Sequence, residues 1–162
     1  RVIAFNYTHT FERLFPQISK DNLCHIHGQL GKNIILGVNS DKTDEEEYAG
    51  TLFLPFKKYY QRAIVNSDTR YLEFLRDMKS DYQSGVENRI VVFGHSLDTT
   101  DREVIRELFL HANSIEVYYH DNAALASIVK NLVDIFKKSV FDSLRSERSL
   151  RFISASSFSW LL

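Results

Sequence analysis

Short apolar runs alternate with longer amphipathic segments along the chain. The apolar runs are rich in β-branched and aromatic residues, and they are Val2 to Phe5, Leu23 to Ile26, the shorter Ile34 to Leu36, Ile90 to Phe93 and Ile115 to Tyr119. Because the longer runs lack polar alternation, they suit parallel strands that are covered on both faces. The pattern predicts an α/β fold, a three-layer sandwich with a mostly parallel sheet and helices on both sides.

The longest amphipathic segment begins after Asp121 and Asn122, and both residue types cap helices. Its apolar residues recur at three- and four-residue steps: Leu125, Ile128, Val129, Leu132 and Phe136. This spacing predicts a helix with one face in a core. After Lys138 the pattern weakens, and two interpretations of the tail from about 139 stay open. The tail forms a final helix and strand of the same domain, or it packs against a partner or another part of a longer protein.

Two further segments have helical spacing. One follows Leu97, where Thr100-x-x-Glu103 matches the capping-box pattern, and the other is predicted from Thr69 to about Met78. The acidic stretch from Asp41 to Glu47 is predicted to be a solvated loop or the start of a helix. Since no internal repeat or low-complexity linker interrupts the pattern, we predict a single domain over residues 1–162.

Composition indicates a globular protein. The chain has 162 residues, of which 44% are hydrophobic and 25% charged, and these fractions exclude disorder and coiled coil. Twenty Lys and Arg against 21 Asp and Glu leave a net charge of −1, so nonspecific nucleic-acid binding is not expected. The lone Cys24, with no signal peptide and no membrane-spanning run, predicts a cytoplasmic protein away from membranes. The start at Arg1, directly before an apolar run, predicts a fragment of a longer protein.

Polar motifs follow three of the predicted strands directly. They are Asn6-Tyr7-Thr8, His25-Ile26-His27-Gly28 and Gly94-His95-Ser96-Leu97. In an open parallel sheet the carboxyl ends of the strands lie at one edge, where ligands bind in the crevice between loops and helix N-termini. We therefore expect these motifs to line one crevice, although they are far apart along the chain.

Asn6 and His27 are the residues of these motifs best suited to chemistry. The Asn6 amide can orient a hydroxyl or a water molecule, and the His27 imidazole can accept a proton near neutral pH. Gly28 allows a sharp turn and the close approach of a ligand to the backbone. His25 shares a strand face with His27, but no Cys or acidic residue at metal-ligand spacing accompanies them, so no metal site is predicted.

The third motif allows two interpretations. Gly94-His95-Ser96 leads from a strand into a helix, as in the nucleophile elbow of serine hydrolases, but Asp98 replaces the last glycine of that motif. A triad would need an acid and a histidine, and the candidates are Asp101 or Glu116 with His111 or His120. Alternatively, Gly94 and Ser96 form a loop that contacts a ribose or a phosphate.

Together, four segments resemble the bacteriophage abortive-infection AbiH family over about residues 2 to 120. In order they are Phe5-Asn6-Tyr7-Thr8 with Glu12, His25-Ile26-His27-Gly28, Ile35-Leu36-Gly37, and Phe93-Gly94-His95-Ser96-Leu97 with Asp101. That family is similar in turn to the sirtuin-like domains of antiviral defence systems. The resemblance implies a Rossmann-like, sirtuin-like domain that binds NAD.

The resemblance also implies a role for each site residue. Asn6 would hold the nicotinamide ribose or an attacking water, and His27 would be the base. Further contacts to NAD would come from Thr8, Gly28, Gly94, Ser96 and Asp101. Thr8 stands where sirtuin-like domains usually have Asp. The implied reaction is hydrolysis of NAD at the bond between nicotinamide and ribose, so that an infected cell loses its NAD.

Two other functions stay open. In the first, the chain is a non-catalytic nucleotide-binding sensor or interaction module that responds to a nucleotide or to a phage-derived trigger, and the departure at Thr8 favours it. In the second, it is a serine hydrolase that uses Ser96. A homo-oligomer is compatible with each of these functions.

Overall fold

A computed structural model describes residues 1–37, 58–65 and 68–158. The chain divides into two compact units, Arg1–Phe74 and Leu75–Leu162. The acidic stretch from Asp41 to Glu47 lies outside the described residues. All strand pairs in both units are parallel, so the predicted α/β class with parallel strands is confirmed for the described part of the chain.

The first unit is built around two short strands. Its elements are β1 (Val2–Ala4), α1 (Thr10–Leu14), β2 (Leu23–His25), α2 (Lys58–Val65) and the start of α3 (Arg70–Gln83). Strands β1 and β2 pair in register, from Val2 with Leu23 to Ala4 with His25. Every residue of β2 is buried, which explains the run without polar alternation.

The second unit contains a three-stranded sheet in the order β3-β4-β5. Its elements are β3 (Arg89–Phe93), α4 (Arg102–Leu110), β4 (Ser114–Tyr119), α5 (Asn122–Glu147) and β5 (Leu150–Ser154). The core of this unit forms where α4 and α5 pack on β4, and its most buried members include Ile105, Phe109, Ile115, Val117, Leu132 and Phe136. The strands therefore pair within two sheets, whereas the sequence predicted one.

The four longer strand predictions agree with the structure to within one residue at each end. The prediction of a strand at Ile34 to Leu36 is wrong, because these residues belong to no ladder. Ile35 is fully buried and its N–H donates to the His27 carbonyl, while the N–H of Leu36 donates to the side chain of Gln61. The apolar run contributes to the core here without forming a strand.

The helix predictions differ from the structure mainly at the ends. The side chain of Asp121 accepts a hydrogen bond from the N–H of Ala124 at 2.7 Å, as predicted for the cap of α5. The capping box at Thr100 and Glu103 is wrong: the side chain of Asp98 accepts from the Thr100 N–H, and a 3-10 turn precedes α4. The predicted helix from Thr69 extends to Gln83 as α3.

Helix α5 continues beyond the point where the apolar pattern weakens. It runs to Glu147 and is followed by β5, so the final helix and strand belong to the second unit, as one of the two interpretations of the tail predicted. A kink at Lys137 divides the helix, since the backbone there has φ 61° and ψ 158°. None of the described helices is both long enough and apolar enough to cross a lipid bilayer.

Candidate functional site

Asn6 and His27 follow neighbouring parallel strands of the first unit. Ala4 pairs with His25 at the carboxyl ends of β1 and β2, and the Ile26 N–H donates to the Ala4 carbonyl at 3.1 Å. Each candidate thus lies two residues beyond the last register pair, at one edge of the sheet. Asn6 is exposed, whereas His27 is only 4% exposed.

Two aromatic rings connect the Asn6 segment with His27. Phe5 and Tyr7 flank Asn6 in sequence, and their ring centroids lie 5.6 and 6.4 Å from the centroid of the His27 ring. The Tyr7 hydroxyl donates a hydrogen bond of 2.8 Å to the carbonyl of Ile35, which holds its ring in place. The segment that carries Asn6 therefore packs directly on the segment that carries His27.

Thr8 and Gly28 have structural partners of their own in this unit. The Thr8 hydroxyl lies 2.8 Å from the hydroxyl of Thr10, at the start of α1. Gly28 has φ 77°, and a Cβ atom added there would come within 1.8 Å of the Asn33 carbonyl oxygen. The turn and the neighbouring backbone explain this glycine, and its predicted contact with a ligand stays a prediction.

A group of ligating side chains lies beside β2. The Glu12 Oε1 atom is 2.9 Å from His25 Nε2 and 3.0 Å from His9 Nδ1, and the Nδ1 atom of His25 is 3.3 Å from the Asn6 carbonyl oxygen. His25 is buried, Glu12 is partly buried and His9 is half exposed. Burial opposes the charge on Glu12, but the hydrogen bonds with His9 and His25 outweigh it and lower the pKa of this carboxyl group.

The structure supplies an acidic partner for His25 that the spacing along the sequence did not show. Thirteen residues separate Glu12 from His25, and α1 brings the carboxylate back onto β2. The nearest signal in the sequence is the pair His9 and Glu12, three residues apart around the start of a helix, which places both side chains on one side. That helix was not predicted.

The motif after β3 forms a tight loop in the second unit. Gly94 has φ 65° and Leu97 has φ 51°, and the loop backbone is held by a hydrogen bond from the Asn131 side chain to the Ser96 carbonyl at 3.0 Å. Gly94 and Ser96 are exposed. The loop lies at the carboxyl end of its strand, as predicted, and its expected contact with NAD stays a prediction.

Asp101 forms a pair with a histidine of the same loop. The Leu97 N–H donates to His95 Nδ1 at 2.9 Å, so Nδ1 is the unprotonated nitrogen and Nε2 carries the proton. This Nε2 atom lies 3.7 Å from the Asp101 carboxylate, and the Asp101 side chain is 7% exposed. Sequence reasoning assigned Asp101 to the ligand but did not anticipate its contact with His95.

The residues predicted for a serine-hydrolase triad have other partners in the structure. His111 Nδ1 donates to the Glu107 carbonyl at 2.7 Å, and His120 Nε2 is 3.2 Å from Asp121. Glu116 accepts a hydrogen bond of 2.7 Å from Arg89. None of these contacts is with Ser96, and the serine-hydrolase function stays a prediction.

Each of the two units contains parallel strands, and polar motifs follow the carboxyl ends of β1, β2 and β3. A family model described as bacteriophage abortive infection AbiH matches residues 1–121, which include β1 to β4 and every predicted site residue. The chain belongs to the AbiH family, and this membership indicates a role in abortive infection of bacteriophage. No curated protein and no solved structure gave a significant match.

Proposed function

We propose that this chain hydrolyses NAD at the bond between nicotinamide and ribose, as the effector step of an abortive-infection response. The observation that supports the proposal best is the placement of Asn6 and His27. Both residues leave neighbouring parallel strands at the same edge, and the rings on either side of Asn6 pack on the His27 ring. Polar groups at such an edge are well placed to meet a nucleotide.

The reaction needs a group that orients and a group that accepts a proton. The exposed Asn6 amide would hold a ribose hydroxyl or the attacking water, while His27 would take the proton that this oxygen loses. The bond from the ribose carbon to the nicotinamide nitrogen breaks, water adds to that carbon, and the products are nicotinamide and ADP-ribose. The water supplies both the new hydroxyl and the released proton.

The test is nicotinamide release by the purified chain with NAD as substrate. We expect Asn6→Ala and His27→Gln each to lower the rate by about a hundredfold or more, which is typical for loss of a positioned hydrogen-bonding group or of an acid–base group. Asn22→Ala is the matched control, because Asn22 is an exposed amide of the same unit and lies at the amino end of β2, whereas Asn6 and His27 follow the carboxyl ends of β1 and β2. Circular dichroism establishes that each variant is folded. No release by the folded wild-type chain, or equal rates in all variants, would contradict the proposal.

The sensor function has its own support in the structure. Thr8 bonds to Thr10 and occupies the position where sirtuin-like domains usually have Asp, and His27 is 4% exposed. A site with Thr8 in place of this Asp would bind a nucleotide without hydrolysing it. Calorimetry with NAD and with ADP-ribose distinguishes the two functions, because tight binding of NAD without release of nicotinamide fits only the sensor.

A further inference from the structure

We propose that His9, Glu12 and His25 form a binding site for one divalent transition-metal ion, with Zn²⁺ as its best representative. Their ligand atoms all lie within 4.8 Å of one another, and the three residues belong to the first unit. Two imidazole nitrogens and one carboxylate oxygen are a common donor set for Zn²⁺ in proteins. The site adjoins Asn6 through the contact of His25 with the Asn6 carbonyl, but binding of an ion there does not depend on NAD chemistry.

The spacing of the donor atoms is close to that of a metal site. Tetrahedral ligands at the usual bond lengths to Zn²⁺ lie about 3.3 Å apart. His25 Nε2 and His9 Nδ1 are 2.9 and 3.0 Å from the same Glu12 oxygen, and all the donor atoms lie within 4.8 Å of one another, so an ion that enters the cluster moves both nitrogens away from that oxygen. The His9 and His25 rings meet edge-on, with centroids 6.0 Å apart and planes at 62°.

The hydrogen bonds of His25 favour a cation. The Asn6 carbonyl oxygen is only an acceptor, so the Nδ1 atom that lies 3.3 Å from it carries a proton. The other ring nitrogen, Nε2, lies 2.9 Å from the Glu12 carboxylate, and an ion between these two atoms would receive a lone pair from each of them.

The hydrogen bond from His25 Nδ1 to the Asn6 carbonyl is of the kind that metal-binding histidines make with the ring nitrogen that does not bind the metal. Such a histidine almost always donates its other ring N–H to a carbonyl or carboxylate, which fixes the tautomer and the ring orientation. His25 has this arrangement, and its side chain is 5% exposed. A bound ion would thereby hold the backbone of Asn6 through His25.

A further observation supports the site. The second oxygen of Glu12, Oε2, is buried, and no described group forms a hydrogen bond with it, so it is available to an ion or to a metal-bound water. The Gln29 amide nitrogen lies 3.4 Å from both His9 Nδ1 and Glu12 Oε1, and it must turn away from these two atoms when an ion binds them. Three protein ligands leave a fourth position of a tetrahedral ion open to water.

The test measures metal binding directly, with no nucleotide present. The untagged chain is dialysed against a chelator and titrated with Zn²⁺ in competition with a chromophoric chelator, and we expect one ion per chain. His9→Ala and Glu12→Gln should each weaken the affinity at least about tenfold, since each removes a donor. His9 is half exposed, so its removal leaves the fold intact even if Glu12→Gln does not fold.

His120→Ala is the matched control, because His120 is an exposed imidazole 3.2 Å from one carboxylate and lies outside the cluster. The affinity of the His120→Ala chain for Zn²⁺ should equal that of the wild-type chain. The visible spectrum of the Co²⁺-loaded chain should show four-coordinate metal that His9→Ala loses. A wild-type chain that binds no stoichiometric ion, or variants that bind as tightly as wild type, would overturn the proposal and leave a hydrogen bond between His25 and Glu12. Neither result depends on whether the chain hydrolyses NAD.

Discussion

Gly28 shows how a single residue shapes the turn beside the candidate site. Its φ of 77° belongs to the left-handed region, and the Asn33 carbonyl lies where a side chain would begin. Gly31, in the same turn region, has a similar φ of 82° but nothing within 4 Å of an added Cβ atom. The two glycines therefore separate the effect of backbone conformation from the effect of a steric clash.

We expect Gly31→Ala to lower the free energy of unfolding by about 1–2 kcal/mol, because only the backbone conformation is unfavourable. Gly28→Ala should cost about 3 kcal/mol or more, since the methyl group also displaces the Asn33 backbone. Urea denaturation monitored by circular dichroism measures both values. Equal losses in the two variants would show that the clash at Gly28 is relieved at no cost.

At the scale of an element, helix α5 contains a break that its apolar pattern requires. Phe136 and Phe141 are both buried, at 1% and 7% exposure, but they are five residues apart. In an uninterrupted helix a five-residue step would turn the second side chain about 140° away from the first. The kink at Lys137 returns Phe141 to the core, and it explains why the regular spacing weakens after this point.

The kink leads to a prediction about two adjacent lysines. Lys137 has φ 61° and ψ 158°, a conformation that is essentially restricted to glycine, while the break in α5 is confined to this residue. Lys137→Gly should therefore raise the free energy of unfolding by about 1 kcal/mol. Lys138→Gly, the matched control in helical backbone, should lower it by about 1 kcal/mol. Thermal and urea unfolding measure the difference, and a loss of stability in both variants would contradict the kink.

At the scale of the whole molecule, folding changes the acidity of the one cysteine. Cys24 is fully buried in β2, and its Sγ atom donates to the Asp68 carbonyl at 3.7 Å. Burial, and next the nearby Asp68 carboxylate, raise the pKa of this thiol to about 12. In the unfolded chain the same thiol has its ordinary pKa of about 8.5.

This difference makes the free energy of unfolding depend on pH in the alkaline range. Between about pH 8.5 and 12 the unfolded chain loses the thiol proton and the folded chain keeps it, so stability falls by about 1.4 kcal/mol per pH unit. We expect the difference in unfolding free energy between wild type and Cys24→Ala to shrink by about 2 kcal/mol from pH 8 to pH 10. Lysines and tyrosines titrate in both proteins and cancel in the subtraction. A difference that does not vary with pH would contradict the raised pKa.

Much of the fold could be predicted because strands and helices depend on neighbours along the chain. The β-branched run at Ile90 to Phe93 and the apolar stripe through Leu132 specify their elements locally, and Asp121 caps its helix as its residue type predicts. The same reasoning was wrong at Ile34 to Leu36. There the apolar residues pack into the core, but their hydrogen bonds go to His27 and Gln61 instead of to a strand.

The candidate site could be predicted in part. The residue types at Asn6 and His27, and their positions after strands, follow from the sequence, while the register of Ala4 with His25 shows that they leave the sheet at the same edge. The contacts of Glu12 with His9 and His25 could not be predicted, because they depend on how a five-residue helix folds back over a strand. The spacing of apolar residues in the sequence does not show that α1 folds back over β2.

By itself, the amino-acid sequence determined the four longer strands and the longer helices, which polar residues follow the strands, and the family to which those motifs belong. Only the tertiary structure decided which strands pair, where α5 bends, and that a carboxylate joins two imidazoles beside β2. The physical reason is the range of the interactions. Backbone conformation and amphipathic spacing act over a few residues, whereas hydrogen bonds and ligand geometry join atoms wherever the folded chain brings them together.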